Sequence, residues 1–349
     1  MFSDEIYLSE TSISFGGVGC ACWDGAIILA RWLLAHGQAI RDAVVHEVGA
    51  GVGLPGIAAA RFAKRVTLSD YVPVLIECLN YNIRLNGANV RDATLDELEQ
   101  VNQELENLNK SEADSSRTQQ EQETAEVAGS AAASTPEVTA KRDELEKRKA
   151  YMLRRISEAE NVMRVAQAKQ LDWLAWDELD EAERESYKCD VILGTEVSYV
   201  QNAETLDALL NIVNKTLNDK GVFYLVQSDD RGTDHRFIPT LTEKYGFELT
   251  VSVVPDWVLQ LYRTGQLLER YLMYTFSRPG SQFPKMSYPE TYEEFLRLSR
   301  EQTCSRSSSV TSTSTSDEGT ISSSCSSTNS KASGASAVLP TSDDSSSAI

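Results

Sequence analysis

The stretch from His46 to Phe62, HEVGAGVGLPGIAAARF, constrains the fold more than any other part of the chain. The apolar run AVVHEV enters it as a short strand, glycines follow at Gly49, Gly51 and Gly53, and Pro55 opens a run with helical spacing. A proline is tolerated there because the first helical turn leaves its N–H unused in any case. Strand, glycine turn and helix together form the unit that brings a backbone close to a ligand at the carboxyl edge of a parallel sheet. Gly51-Val-Gly-Leu-Pro-Gly56 also fits the dinucleotide fingerprint G-x-G-x-x-G letter for letter. A dinucleotide and another adenosine cofactor are both open at this point.

The pattern continues on both sides. Before the turn, DGAIILARWLLAHGQAI repeats apolar positions at helical spacing after Asp24, which is read as its N-cap. After it, RVTLSD is a strand ending in Asp70, and VPVLIECLNYNIRLNG is a helix closed by Gly87. Further on, VMRVAQAKQLDW and CDVILGTEVSYV read as strands, ETLDALLNIVNKTL as a helix and GVFYLVQS as a strand. A helix around FIPTLTEKY precedes two final strands, FELTVSVV and RYLMYTF, with no helix between them. The expected fold is α/β: a Rossmann-like seven-stranded, mostly parallel sheet with helices on both faces and an antiparallel last strand.

That sheet divides into residues 1–91 and 161–280. Between them, residues 92–160 are charged, Gln- and Ser-rich and nearly free of aromatics, so they read as a helical or disordered insertion. A long surface insertion is tolerated because loop-closure entropy grows only logarithmically. Residues 281–303 read as a short helical extension. From Cys304 to Ile349 more than half the residues are Ser or Thr, the composition of a disordered tail.

Bulk charge narrows the partners. With 52 Asp and Glu against 33 Lys and Arg, the net charge of −19 excludes general electrostatic binding of nucleic acid and favours a basic protein partner. No apolar run reaches the about 18 residues a membrane span needs, and the acidic start MFSDEIYLSE has no leader character. A soluble monomer in the cytoplasm, with the nucleus as a second location, is expected. The 6 cysteines and 3 histidines form no metal set; Cys20, Cys22, Cys78 and Cys189 read as reduced, packed thiols.

Glycines and Asp70, an acid placed to accept from ribose hydroxyls, suit either cofactor. Three other features discriminate: a helix preceded by GGVGCACWDGA stands before the first strand, two strands end the sheet, and the fourth strand emerges at GTEVSY. Together CWDGAIILARWL, HEVGAGVGLPGIAAA, VTLSDY, NYNIRLNG, QLDW and DVILGTEVSY resemble the seven-β-strand methyltransferases of the lysine-methyltransferase-like family, methyltransferase family 16. The resemblance covers roughly residues 15 to 90 and 162 to 278. It implies S-adenosyl-L-methionine as cofactor, held on its methionine side by Glu47, Gly49, Gly51 and Gly53. It further implies that Trp23 faces the cofactor, Asp70 binds its ribose, Trp173 lies at its adenine, and Gly194 and Thr195 line it.

Methyl transfer requires a neutral nucleophile in line with the donor methyl, so positioning dominates. A lysine amine, with an ordinary pKa of about 10.4, must first lose its proton. Glu196 is the expected group to bind and orient the amine, and Tyr199 to hold it through its hydroxyl and ring face. The family carries an acid, two residues and a tyrosine here, often with aspartate first; this chain has the longer glutamate. The expected function is protein-lysine N-methylation of a non-histone protein. The alternatives are a histidine or small-amine acceptor, an inactive methyltransferase fold used for binding, and a dinucleotide oxidoreductase.

Overall fold

The computed structural model describes residues 5–123, 136–198, 201–229, 236–260 and 270–297. Tyr199 and the Ser/Thr-rich tail lie outside them. The described residues include helices α1 to α10, strands β1 to β7 and a further helical turn near the end of the last described stretch. A short α1 (Ile13–Gly16) and a 3-10 turn precede α2 (Asp24–Ala35), which leads into β1 (Val44–Val48), α3 (Leu54–Ala60) and β2 (Arg65–Asp70). Next come α4 (Pro73–Arg84), α5 (Val90–Glu123), α6 (Pro136–Val165) and β3 (Ala166–Gln170). The remainder is α7 (Glu181–Ser186), β4 (Cys189–Thr195), α8 (Ala203–Thr216), β5 (Leu217–Ser228), α9 (Phe237–Pro239), β6 (Glu248–Val253), α10 (Asp256–Gln260) and β7 (Tyr271–Ser277).

The strands form one sheet in the order β3-β2-β1-β4-β5-β7-β6. β1 to β5 are parallel, and β7 runs antiparallel to both β5 and β6. The expected fold class is borne out. Because the chain passes from β1 outward to β2 and β3 and returns to β4 on the other side of β1, the switch point falls between β1 and β4. A crevice opens there, at the carboxyl ends of both strands.

Strand alternation sends side chains to two apolar layers. Val45, Val191, Val222 and Tyr224 pack under α2 and α3, while Val48, Ile192, Phe223 and Leu225 pack against α8 and the Phe237 turn. The segment after β7 is fastened to the first layer. Tyr288 Oη donates to Ile28 O at 2.7 Å, Trp257 Nε1 to Pro289 O at 3.1 Å, and Tyr224 Oη to Pro284 O at 2.6 Å. Its helical turn spans 292–297, where the extension was expected.

Four local readings are corrected. Asp24 is the first helical residue of α2 rather than its cap; Trp23 occupies the cap position without capping the helix through its side chain. Gly87 does not close a helix, because α4 continues through a π-turn at Leu85–Asn89 into α5. A Cβ at Gly87 would stand 2.2 Å from Met163 Cγ, so the glycine serves the close crossing of α6. VMRV belongs to α6, where Val162 and Val165 reach the core at helical spacing, and β3 begins only at Ala166. Finally, α10 lies between β6 and β7.

The insertion is built on α5 and α6, two long antiparallel helices with their own apolar seam of Val101, Leu105, Leu145 and Met152. The base of α6 is bound to the sheet layers. Asn161 Nδ2 donates to Ala60 O and Ala63 O at 2.7 and 3.2 Å, serving carbonyls that the end of α3 leaves open.

Candidate active site

At the switch point a cavity of ≈ 520 Å³ is lined by the turn after β1, the end of β2, residues 172–174, the end of β4 and the amino-terminal segment 17–23. Gly49, Gly51, Asp70, Trp23, Trp173, Thr195 and Glu196 all face it. Seven residues expected at the site, spread over 174 positions of sequence from 23 to 196, are thereby brought to one concavity.

Three others stand behind it. Glu47 is 2% exposed, and its Oε2 accepts the Gly56 N–H at 2.8 Å, so the carboxyl group caps the start of α3 from below. Burial pushes that carboxyl up to about 8, the Gly56 bond opposes the rise and Asp70 adds to it. Gly53 is the N-cap of α3, and Gly194 lies inside β4 against Phe223.

The glycine turn is shaped by two neighbours. Gly51 has φ +54°, a left-handed conformation that L side chains rarely adopt, and a Cβ there would stand 2.8 Å from Gly19 O. Its N–H donates to Asp70 Oδ2 at 3.0 Å, while Asp70 Oδ1 accepts from Val72 N–H at 3.2 Å. Burial raises the Asp70 carboxyl above the usual carboxylate range, and the Gly51, Val72 and Tyr71 amides pull it back.

The amino-terminal segment crosses the turn because α4 holds it there. Asn82 and Asn86, four apart on the helix, meet residues 9 and 7, two apart in extended chain. One helical turn and two extended residues both advance about 6 Å, which makes the rungs fit. Ser9 N–H donates to Asn82 Oδ1 at 2.7 Å and Tyr7 N–H to Asn86 Oδ1 at 2.9 Å. In return, Asn82 Nδ2 donates to Ser9 O at 3.1 Å and to Val52 O at 3.0 Å, joining segment, helix and glycine turn. Trp23 Nε1 donates to Val18 O at 2.8 Å, which sets the indole at the cavity wall.

Glu196 follows β4 with φ +57°, one of two non-glycine residues among those described with positive φ. Such a backbone costs about 1–3 kcal/mol and is kept where surrounding structure enforces it, most often at sites of chemistry. Here the Glu196 N–H donates to Val226 O at 3.1 Å, and Glu196 Oε1 accepts the Ser228 N–H at 3.0 Å. Gly25, in the first turn of α2, lies beside the acid: a Cβ there would meet Glu196 Cγ at 3.5 Å, an ordinary van der Waals contact.

Sequence reasoning did not single out Gly19, Gly25, Asn82, Asn86, Gln227 or Ser228. The four-residue spacing of two asparagines in NYNIRLNG is the one local signal among them. No group of three or more His, Cys, Asp or Glu among the described residues could hold a metal ion.

Comparison with known proteins bears on the family of the chain. Residues 3–114 match the family model described as lysine methyltransferase, about a third of the chain, and the resemblance read from the sequence is borne out there. The chain is 32% identical over 95 residues to the protein-lysine N-methyltransferase EEF2KMT of Mus musculus, covering 26% of this chain and 28% of that protein. It is 45% identical over 62 residues to the histone-arginine methyltransferase METTL23 of Rattus norvegicus, 18% of this chain and 27% of that one. The protein N-lysine methyltransferase METTL21A of Xenopus tropicalis is 39% identical over 70 residues, 20% and 32% of the two chains. Each alignment spans less than a third of the relative's length.

Proposed function

We propose, from the lysine methyltransferase match over residues 3–114 and the site within reach of it, that this protein is an S-adenosylmethionine-dependent N-methyltransferase acting on a protein lysine. The observation that carries the reading is Glu196, a strained acid at the end of β4 that opens onto the same cavity as the Gly49–Gly51 turn and Asp70. Acceptor-binding and cofactor-binding groups thus share one concavity.

The residues present suit the cofactor. Gly49 and Gly51, both with left-handed φ, present bare backbone to the cavity, Asp70 offers carboxylate lone pairs for ribose hydroxyls, and the indoles of Trp23 and Trp173 supply apolar walls. When bound, S-adenosylmethionine supplies a methyl group activated by its sulfonium.

The chain's own groups have the following roles in this reading. Asp70 orients the ribose, while Glu47, beneath α3, acts on the site only through the turn it supports. Glu196 draws the incoming ammonium to the cavity mouth by charge, orients it through a hydrogen bond, and lets its proton pass to water. Surrounding apolar walls lower the amine pKa, so the neutral nucleophile forms where it is needed. The acidic surplus of the chain favours a basic protein partner, met in the cytoplasm or nucleus.

Arginine is the second reading, favoured by likeness to a histone-arginine methyltransferase. Radiolabelled methyl transfer into a lysate, followed by mass spectrometry of the labelled protein, decides among lysine, arginine and histidine. Glu196→Ala is expected to lower transfer about 100-fold or more. Equal labelling by wild type and variant, or no heat of binding with S-adenosylmethionine in calorimetry, overturns the proposal.

A further inference from the structure

The turn that carries Glu196 is attached to the end of β5 at three points. The Glu196 N–H donates to Val226 O at 3.1 Å, the Ser228 N–H donates to Glu196 Oε1 at 3.0 Å, and Ser198 Oγ donates to Gln227 Oε1 at 2.5 Å. Only the third bond is made by a β5 side chain.

Gln227 is an unusual occupant of its position. It is 1% exposed, and strand alternation sets it on the face that carries Phe223 and Leu225. Its Nε2 is buried with no hydrogen-bond partner among the described residues. An apolar side chain of similar size would avoid that penalty, so the fold alone does not account for an amide here. What the amide does supply is a fixed acceptor for the Ser198 hydroxyl, two residues after the left-handed Glu196.

We infer that Gln227 is a positioning residue for methyl transfer: its side-chain carbonyl, through Ser198, holds the left-handed turn that aims the Glu196 carboxylate. The inference rests on the role of Glu196 proposed above. Neither Gln227 nor Ser198 lines the cavity, so their effect is separable from cofactor binding.

Hydrogen exchange and steady-state kinetics test it together. In Ser198→Ala and in Gln227→Leu, the Glu196 amide is expected to exchange about tenfold faster than in wild type. In the same variants kcat falls about tenfold, with KM and the calorimetric Kd for S-adenosylmethionine each changed by less than about twofold. Ser198→Thr keeps the hydroxyl and restores both exchange protection and kcat. The double variant is no worse than either single one, because both remove the same bond. Unchanged Glu196 exchange in Ser198→Ala overturns the inference whether or not methyl transfer is detected, and so do additive losses of kcat or a parallel loss of cofactor affinity. A wild-type protein that transfers no methyl group counts against the enzymatic reading instead, and the exchange measurement still decides whether Gln227 and Ser198 hold the turn.

Discussion

The carbonyl oxygen of Gly19 lies 2.8 Å from the point where a Cβ on Gly51 would stand. Two backbones from opposite ends of the site therefore meet with no side chain between them, and both belong to the cavity lining.

Gly51→Ala tests that approach. The substitution forces a side chain into a left-handed φ of +54° and against backbone that cannot rotate away. The expected result is a loss of about 1–3 kcal/mol of stability, with cofactor affinity reduced at least about tenfold, a free-energy change near 1.4 kcal/mol. Thermal melting and calorimetry with S-adenosylmethionine measure the two effects separately.

Asn82→Ala removes the rung that joins Ser9, α4 and Val52. Four bonds end on this fully buried side chain, three of them to main-chain groups, so the backbone groups of Ser9 and Val52 lose their partner together. A destabilisation of about 2–4 kcal/mol is expected, each orphaned buried group contributing about 1–3. Exchange should accelerate first at residues 7–10 and then at 50–53, and simultaneous acceleration of the whole sheet would contradict this arrangement.

Two neighbours on β1 give the cofactor-free protein opposing pH slopes. Burial pushes Glu47 from 4.5 up to about 8, so the folded state holds a proton that the unfolded chain releases above 4.5. That stability is fully present below pH 4.5 and is lost progressively until pH 8. Burial, with Lys169 and Arg65 nearby, pushes His46 from 6.5 down to about 3, so its contribution is lost as pH falls from 6.5 toward 3. The two slopes cancel between 4.5 and 6.5, where melting temperature should be highest, and each alone reaches at most about 1.4 kcal/mol per pH unit. Glu47→Gln, which keeps an oxygen for Gly56 N–H, should flatten the alkaline limb and melt higher than wild type at pH 8. A wild-type melting temperature that rises between pH 6.5 and 8 would refute this assignment.

Gly87→Ala would ordinarily favour a helix, yet its Cβ would stand 2.2 Å from Met163 Cγ. Overpacking of this kind costs about 1–3 kcal/mol. The paired variant Gly87→Ala with Met163→Ala should recover part of the loss, a non-additivity that chemical denaturation can measure.

The sheet was legible because its signals are local. Apolar runs, the Gly49–Gly53 turn and Asp70 at a strand end are each written within a few residues. Gly87 was misread as a helix end because the contact that requires it, Met163, lies far along the chain. Likewise VMRV has the composition of a strand, and only its contact with the core reveals Val162 and Val165 as one helical face. At the site, Glu196 and Asp70 announce themselves by residue type. Glu47 was placed at the cofactor turn by the family resemblance, and its carboxyl group lies under α3, bonded to the Gly56 N–H. Gln227, Ser228, Gly19 and Gly25 act through neighbours distant in sequence, and no spacing rule exposes them.

The unbroken join of α4 to α5 has a mechanical consequence. A helix of 34 residues is about 50 Å long, and no flexible joint separates it from the two asparagines that tie down the amino-terminal segment. A displacement of the seam at Val101 and Leu105, in the first half of α5, is therefore expected to reach Ser9 and Val52, as load on a lever reaches its fulcrum.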